Sequence, residues 1–214
     1  MTVTTITDNS KSTDMRAWSP VSWLNTYNAA VSDIKSNSPM MIGESDSGTG
    51  DYYTCRIAVL FNTSTIPVGA IITAAKVRLY LQAAILTGND FNVKVQNGQP
   101  TYPHDPVIDG DYDRTNYAGN GGTSGLATGF TFNAYNDIVL NSTGFSWIDL
   151  GGLTKLILRS SNDISATAPL VGTNEFLTFN GPVDANKPKL EITWTYPPRV
   201  GAGIVRYGLR HRGN

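Results

Sequence analysis

The sequence predicts an all-β fold: a jelly-roll β-sandwich of two antiparallel sheets over residues 1–198, followed by a C-terminal extended arm at 199–214. Three observations predict it. Helical periodicity is nearly absent, and short apolar runs alternate with turn clusters such as "NTSTIPVG", "LTGND", "QNGQP" and "NGPVDANKP". Several runs have a strict period of two, which suits sheets with one buried face. About ten such strands fit a sandwich better than a parallel α/β sheet.

The elements follow in order. Residues 3–6 read as a first strand, and "VSWLNTYNAAVSDI" (21–34) as at most a helical turn or two before Pro39. The stretch "RIAVLFNTSTIPVGAIITAAKVRLYL" (56–81) reads as two strands around a Pro-Val-Gly turn, each carrying an interior arginine, Arg56 and Arg78. The strands themselves are placed at 53–61 and 75–83, with Val77, Leu79 and Leu81 on one face and Lys76, Arg78 and Tyr80 on the other. Further strands are expected at 91–95, 129–132, 137–140, 145–149, 155–159, 175–179 and 189–196. In the last, Leu190, Ile192, Trp194 and Tyr196 share a face. The long segment 99–129, rich in Gly, Asn, Asp and Tyr, is expected to be a loop, functional or ordered by a partner. Pro197 and Pro198 close the final strand. The arm beyond them carries Arg199, Arg206, Arg210 and Arg212 without an acid, among apolar residues with strand propensity.

The 214 residues are enough to bury a core without disulfides, and the single cysteine, Cys55, heads an apolar run where a buried, inert thiol is expected. Only 15% of residues are charged and the net charge is −1, which gives no pull toward nucleic acid or an anionic membrane. No basic-then-apolar leader opens the chain, and no run approaches the roughly 18 apolar residues of a membrane span. The expectation is a soluble chain made in the cytoplasm.

Catalytic patterns are missing. His104-Asp105 is a conceivable acid-base dyad, but no G-x-S-x-G turn supplies a nucleophile, and there is no zinc, P-loop or dinucleotide motif. "DPVIDGDYD" crowds Asp105, Asp109, Asp111 and Asp113 around Gly110. Hard oxygen donors of this kind are what Ca²⁺ requires, so calcium is a possible ligand there, beside the plainer reading of a solvated loop. No other cofactor is expected. Two aromatic sets suit stacking on a sugar ring or contact with a protein: Trp18, Trp23 and Tyr27 near the N-terminus, and Tyr102, Tyr112 and Tyr117 in the long loop. The arm, with Arg199, Arg206, Tyr207, Arg210 and Arg212, suits docking on a neighbouring subunit; its charges are too sparse for nucleic acid.

The order of features resembles the DNRLRE-type jelly-roll domains, a family that includes carbohydrate-binding modules and repeats in surface and virion proteins. "DMRAWSP" (14–20) looks like its opening strand, "MIGES" (41–45) like its second, and "CRIAVLFNTSTIPVGAIITAAKVRLYL" (55–81) like its central pair. "FSWIDLGGLTKLILRSSND" and "EFLTFNG…NKPKLEITW" resemble its later strands, while "PTYPHDPVIDGDYDRTNY" departs from the family's middle segment. The resemblance, with the missing catalytic set and the docking-like arm, implies a non-enzymatic structural virion protein. It would be a phage head-decorating or tail-associated subunit, bound to capsid or tail and to its own copies. The alternative is a carbohydrate-binding module or receptor-binding domain that recognises surface glycans.

Overall fold

A computed structural model describes residues 1–8 and 11–196; the predicted arm lies outside them. The chain runs β1 (Thr2–Thr7), β2 (Thr13–Ser19), α1 (Trp23–Tyr27), β3 (Ile34–Ser36), β4 (Met40–Asp46) and β5 (Tyr52–Asn62). It continues through β6 (Ile71–Leu86), β7 (Asn92–Asn97), β8 (Ala118–Leu126), β9 (Tyr135–Leu140) and α2 (Ser142–Ser146). The last elements are β10 (Leu153–Ser160), α3 (Ser161–Ser165), β11 (Thr173–Phe179) and β12 (Lys189–Thr195).

The all-β class is as expected, but the open two-sheet sandwich is not what forms. Eight antiparallel strands close into a barrel, β6-β11-β4-β5-β10-β7-β8-β9, with β9 returning to pair with β6. Two long strands make the closure. β6 pairs with β12 along residues 71–78, with β11 along 81–86, and with β9 along 76–80. β5 pairs with β4 along 52–55 and with β10 along 57–62, while β2 lies along 52–58. A strand that changes partners along its length turns a corner, and two of them join what would be separate sheets into one ring. Alternation reports which face of a strand is buried but not which strands it pairs with, so the sandwich and the barrel look alike in sequence.

The barrel is filled by the predicted alternating residues: Val77, Leu79 and Leu81 of β6 meet Ile57, Val59 and Phe61 of β5, Leu156 and Leu158 of β10, and Leu177 and Phe179 of β11. Each such side chain, fully buried, contributes roughly 1.5–3 kcal/mol. A second apolar cluster lies outside the barrel wall. Met15 and Ala17 of β2, Ala58 and Leu60 of β5 and Ile157 of β10 pack under Val107, Tyr112 and Tyr117 of the long loop. β5 is therefore buried on both faces.

Three local expectations fail for local reasons. Residues 145–149 are not a strand: Asn141 caps α2 by accepting from the Gly144 N–H, and the chain then turns. Residues 129–132 form the end of a 3₁₀ turn and a connection. Within the expected loop 99–129, residues 118–126 are β8, although "AGNGGTSGL" has little strand propensity. The glycines serve packing there: a Cβ on Gly121 would lie 2.1 Å from Cζ3 of Trp147, whose ring lies against the strand.

Candidate functional site

The strands β3, β2, β5, β4 and β11 carry a shallow groove of about 440 Å³ on one face. Register explains its composition. Trp18 pairs with Tyr53, Tyr53 with Ser45, and Ser45 with Asn174, so these four side chains form one row across four strands. The next row runs Ile34, Arg16, Cys55, Gly43, Phe176. Gly43, at φ +125°, is the flat centre of the floor: a Cβ there would lie 1.8 Å from the Glu175 carbonyl oxygen. Ser47 and Asp51, from the turn between β4 and β5, complete one end.

Trp18 stands on the rim, 42% exposed, and its indole Nε1 donates to Asp51 Oδ1 at 3.0 Å. The Trp18 backbone N–H is held by Asp33 Oδ2 at 2.7 Å. Arg16 donates from Nε to Asp14 Oδ2 at 2.7 Å and from Nη2 to the Pro39 carbonyl at 3.2 Å. Asp14 is fully buried and also accepts the N–H groups of Met41 and Ser36. Burial raises the Asp14 carboxyl to about 6, although Arg16 pulls it down. Cys55 is buried at the floor, and burial pushes its thiol well up, so it is protonated and a poor nucleophile.

The predicted calcium ligands are not brought together. Asp111 is buried and accepts the N–H groups of His104 and Ile108 on Oδ2, both at 2.9 Å. Its Oδ1 pairs with His104 Nδ1 at 2.7 Å, so the histidine's carboxylate partner is Asp111, not Asp105. Asp105 pairs with Lys11, Asp109 with Lys35, and Asp113 accepts from the Thr115 N–H and hydroxyl. Among the described residues no three His, Cys, Asp or Glu side chains gather as a metal set.

The predicted aromatic contacts divide. Trp18 is in the groove rim and Tyr102 is half-buried, edge-on to Tyr117 and His104. Trp23, Tyr112 and Tyr117 are corrections: all three are buried. Trp23 stacks on Tyr27, Tyr117 donates to the Asp111 carbonyl, and Tyr112 donates to the carbonyls of Thr26 and Thr54. Arg199, Arg206, Tyr207, Arg210 and Arg212 lie outside the described residues.

What draws the loop inward is Arg56. Its guanidinium is fully buried and lies 4.1 Å from the centroid of the Tyr112 ring. It pairs with both oxygens of Asp163 at 2.7 and 2.8 Å and donates to the carbonyls of Tyr112 and Tyr27 at 2.6 and 3.0 Å. Arg159 adds a third contact to Asp163 at 2.6 Å and reaches Gln96. Burial works against the Asp163 charge, but the two guanidinium groups override it and hold the carboxyl at about 2. Nearby, Glu44 is fully buried, accepts a hydrogen bond from the Ser160 hydroxyl on Oε1, and has no partner on Oε2 among the described residues. Burial, reinforced by the Asp163 charge, raises its carboxyl well above the ordinary range.

An interior arginine in an apolar run was the available signal for this network, but its partner lies 107 positions away. The groove had less: Trp18 stood out as an aromatic, while Arg16, Tyr53 and Asn174 are ordinary strand residues until register aligns them. No family model matches the chain, and no curated protein is similar to it.

Proposed function

We propose that this chain is a non-enzymatic binding subunit that recognises surface glycans in the groove on β3, β2, β5, β4 and β11. One observation carries the reading: Trp18 is adjacent in register to Tyr53 of the groove, on the same sheet face as Arg16, Ser45 and Asn174 and bonded to Asp51, so two aromatic side chains are flanked by hydrogen-bonding groups. A sugar ring offers an apolar face to stack and hydroxyls to bond, and this mixture of groups suits it. The residues lining the groove include no histidine, and their one thiol is protonated, which supports binding rather than nucleophilic turnover. Saturable binding on a glycan array, lost in Trp18→Ala, is the expected outcome. A blank array with folded protein contradicts the reading.

A virion setting for the same subunit has its own support. β1 pairs only with β12 among the described residues, so its other edge is open to a further strand. Residues 199–214 follow β12, the neighbour of that edge, and have the composition of a docking arm. Light scattering of the full chain and of a chain ending at residue 198 tests this. An oligomer lost on truncation supports a self-assembling virion subunit bound to capsid or tail; an oligomer unchanged by truncation removes the arm from the account.

A further inference from the structure

Resting on the glycan reading, the geometry points to a ligand with a negative charge: we infer that the groove takes a carboxylate-bearing sugar, a uronic acid, with its carboxylate on Arg16. The guanidinium is only half used by the protein. Nε is held by Asp14 and Nη2 by the Pro39 carbonyl, while Nη1 has no partner among the described residues. The side chain is 20% exposed and lines the groove, one row from Trp18 and Tyr53. The two bonds that Arg16 already makes fix the plane of the group. A planar, pre-oriented guanidinium edge is the partner a carboxylate fits best.

The surrounding charges are consistent with this placement. On β3, β5, β4 and β11 the side chains facing Arg16 are Ile34, Cys55, the bare Gly43 and Phe176, none of them ionised. Asp51 lies at the Trp18 end, where the indole N–H already engages it. Asp14, on β2 itself, is the one carboxylate bonded to Arg16, and it competes with the ligand for the same positive charge. Its carboxyl sits at about 6, so as the pH falls through that value Asp14 takes a proton and Arg16 is left for the ligand. Uronic acids remain ionised there. Affinity for the acidic sugar therefore rises between pH 7 and 5, opposite to the trend expected of a site that loses a needed carboxylate.

Calorimetric titration with oligogalacturonate, hyaluronan and alginate oligosaccharides, each beside its carboxyl-reduced counterpart, tests the inference. The expected result is a preference for at least one acidic form by roughly tenfold, the worth of one hydrogen bond to a charged group. Arg16→Met combined with Asp14→Asn, which leaves no buried carboxylate unpaired, abolishes the preference and keeps residual binding of the reduced sugar. Asp14→Asn alone strengthens acidic binding and removes its pH dependence. Equal affinity for acidic and reduced forms, or a preference that survives the double substitution, overturns the carboxylate assignment while the glycan reading stands. Failure of every oligosaccharide, acidic or reduced, to bind the folded wild type overturns both.

Discussion

Arg56 and Asp163 form a bidentate ion pair with no exposed surface, and breaking it from one side leaves a buried charge alone. Asp163→Asn, which strands both Arg56 and Arg159, is expected to cost about 3–5 kcal/mol of unfolding free energy in urea titrations. Asp163 and Glu44, two of the buried carboxyls, have opposite pH signatures. Asp163 is held at about 2, below its unfolded value of 3.8, so its stabilisation is present above pH 4 and is lost as pH falls toward 2. Glu44 is raised above its unfolded value of 4.5, so the native state holds a proton that the unfolded chain releases, and stability declines as pH rises from there. Glu44→Gln mimics the protonated form. It is expected to be more stable than wild type at neutral pH, with an advantage that grows above pH 4.5 by up to roughly 1.4 kcal/mol per pH unit until the native carboxyl itself ionises. Urea midpoints of both proteins between pH 4 and 9 check this; curves that stay parallel contradict it. Arg56 was legible as an oddity in an apolar run, whereas Glu44 and Asp163 were not, because nothing local marks a carboxyl that will be buried.

Among the elements, β6 and β12 could be read directly because one face is core and the other solvent or a polar seam. The seam on β6 is the network of Lys76 and Arg78 with Asp137 and Glu191. β8 could not be read, since Gly119 and Gly121 record the Trp147 ring rather than strand propensity. Gly121→Val is therefore expected to destabilise the barrel by about 1–3 kcal/mol despite improving strand propensity, as overpacking forces Trp147 from its place. A melting temperature unchanged or raised by Gly121→Val would mean that Trp147 has room to move. The loop at 99–117 was misread in the other direction. It looks in sequence like a polar, ligand-seeking segment, but Tyr112, Tyr117 and Asp111 point inward to Arg56 and the backbone. A polar composition does not say which way the polar groups face.

For the whole molecule, class was legible and closure was not. Short alternating strands and turn clusters establish an antiparallel β protein, but the ring depends on pairings such as β6 with β9 and β4 with β11, far apart in sequence. The groove has the same origin. Its two rows cross β2, β5, β4 and β11, so no single segment of sequence contains it, and of its residues only Trp18 stood out as a binding group. No helix among the described residues is long and apolar enough to cross a membrane. Glycan binding by this assembled face is what we propose. The most direct measurement is a glycan array probed with wild type and Trp18→Ala side by side, with matched circular dichroism and melting curves to establish folding. Trp18 is exposed and contributes one side-chain hydrogen bond, so the variant is expected to fold normally and to lose binding. Signal on defined glycans that disappears in the variant is the predicted result. Equal signal from both proteins, or none from either, would contradict it.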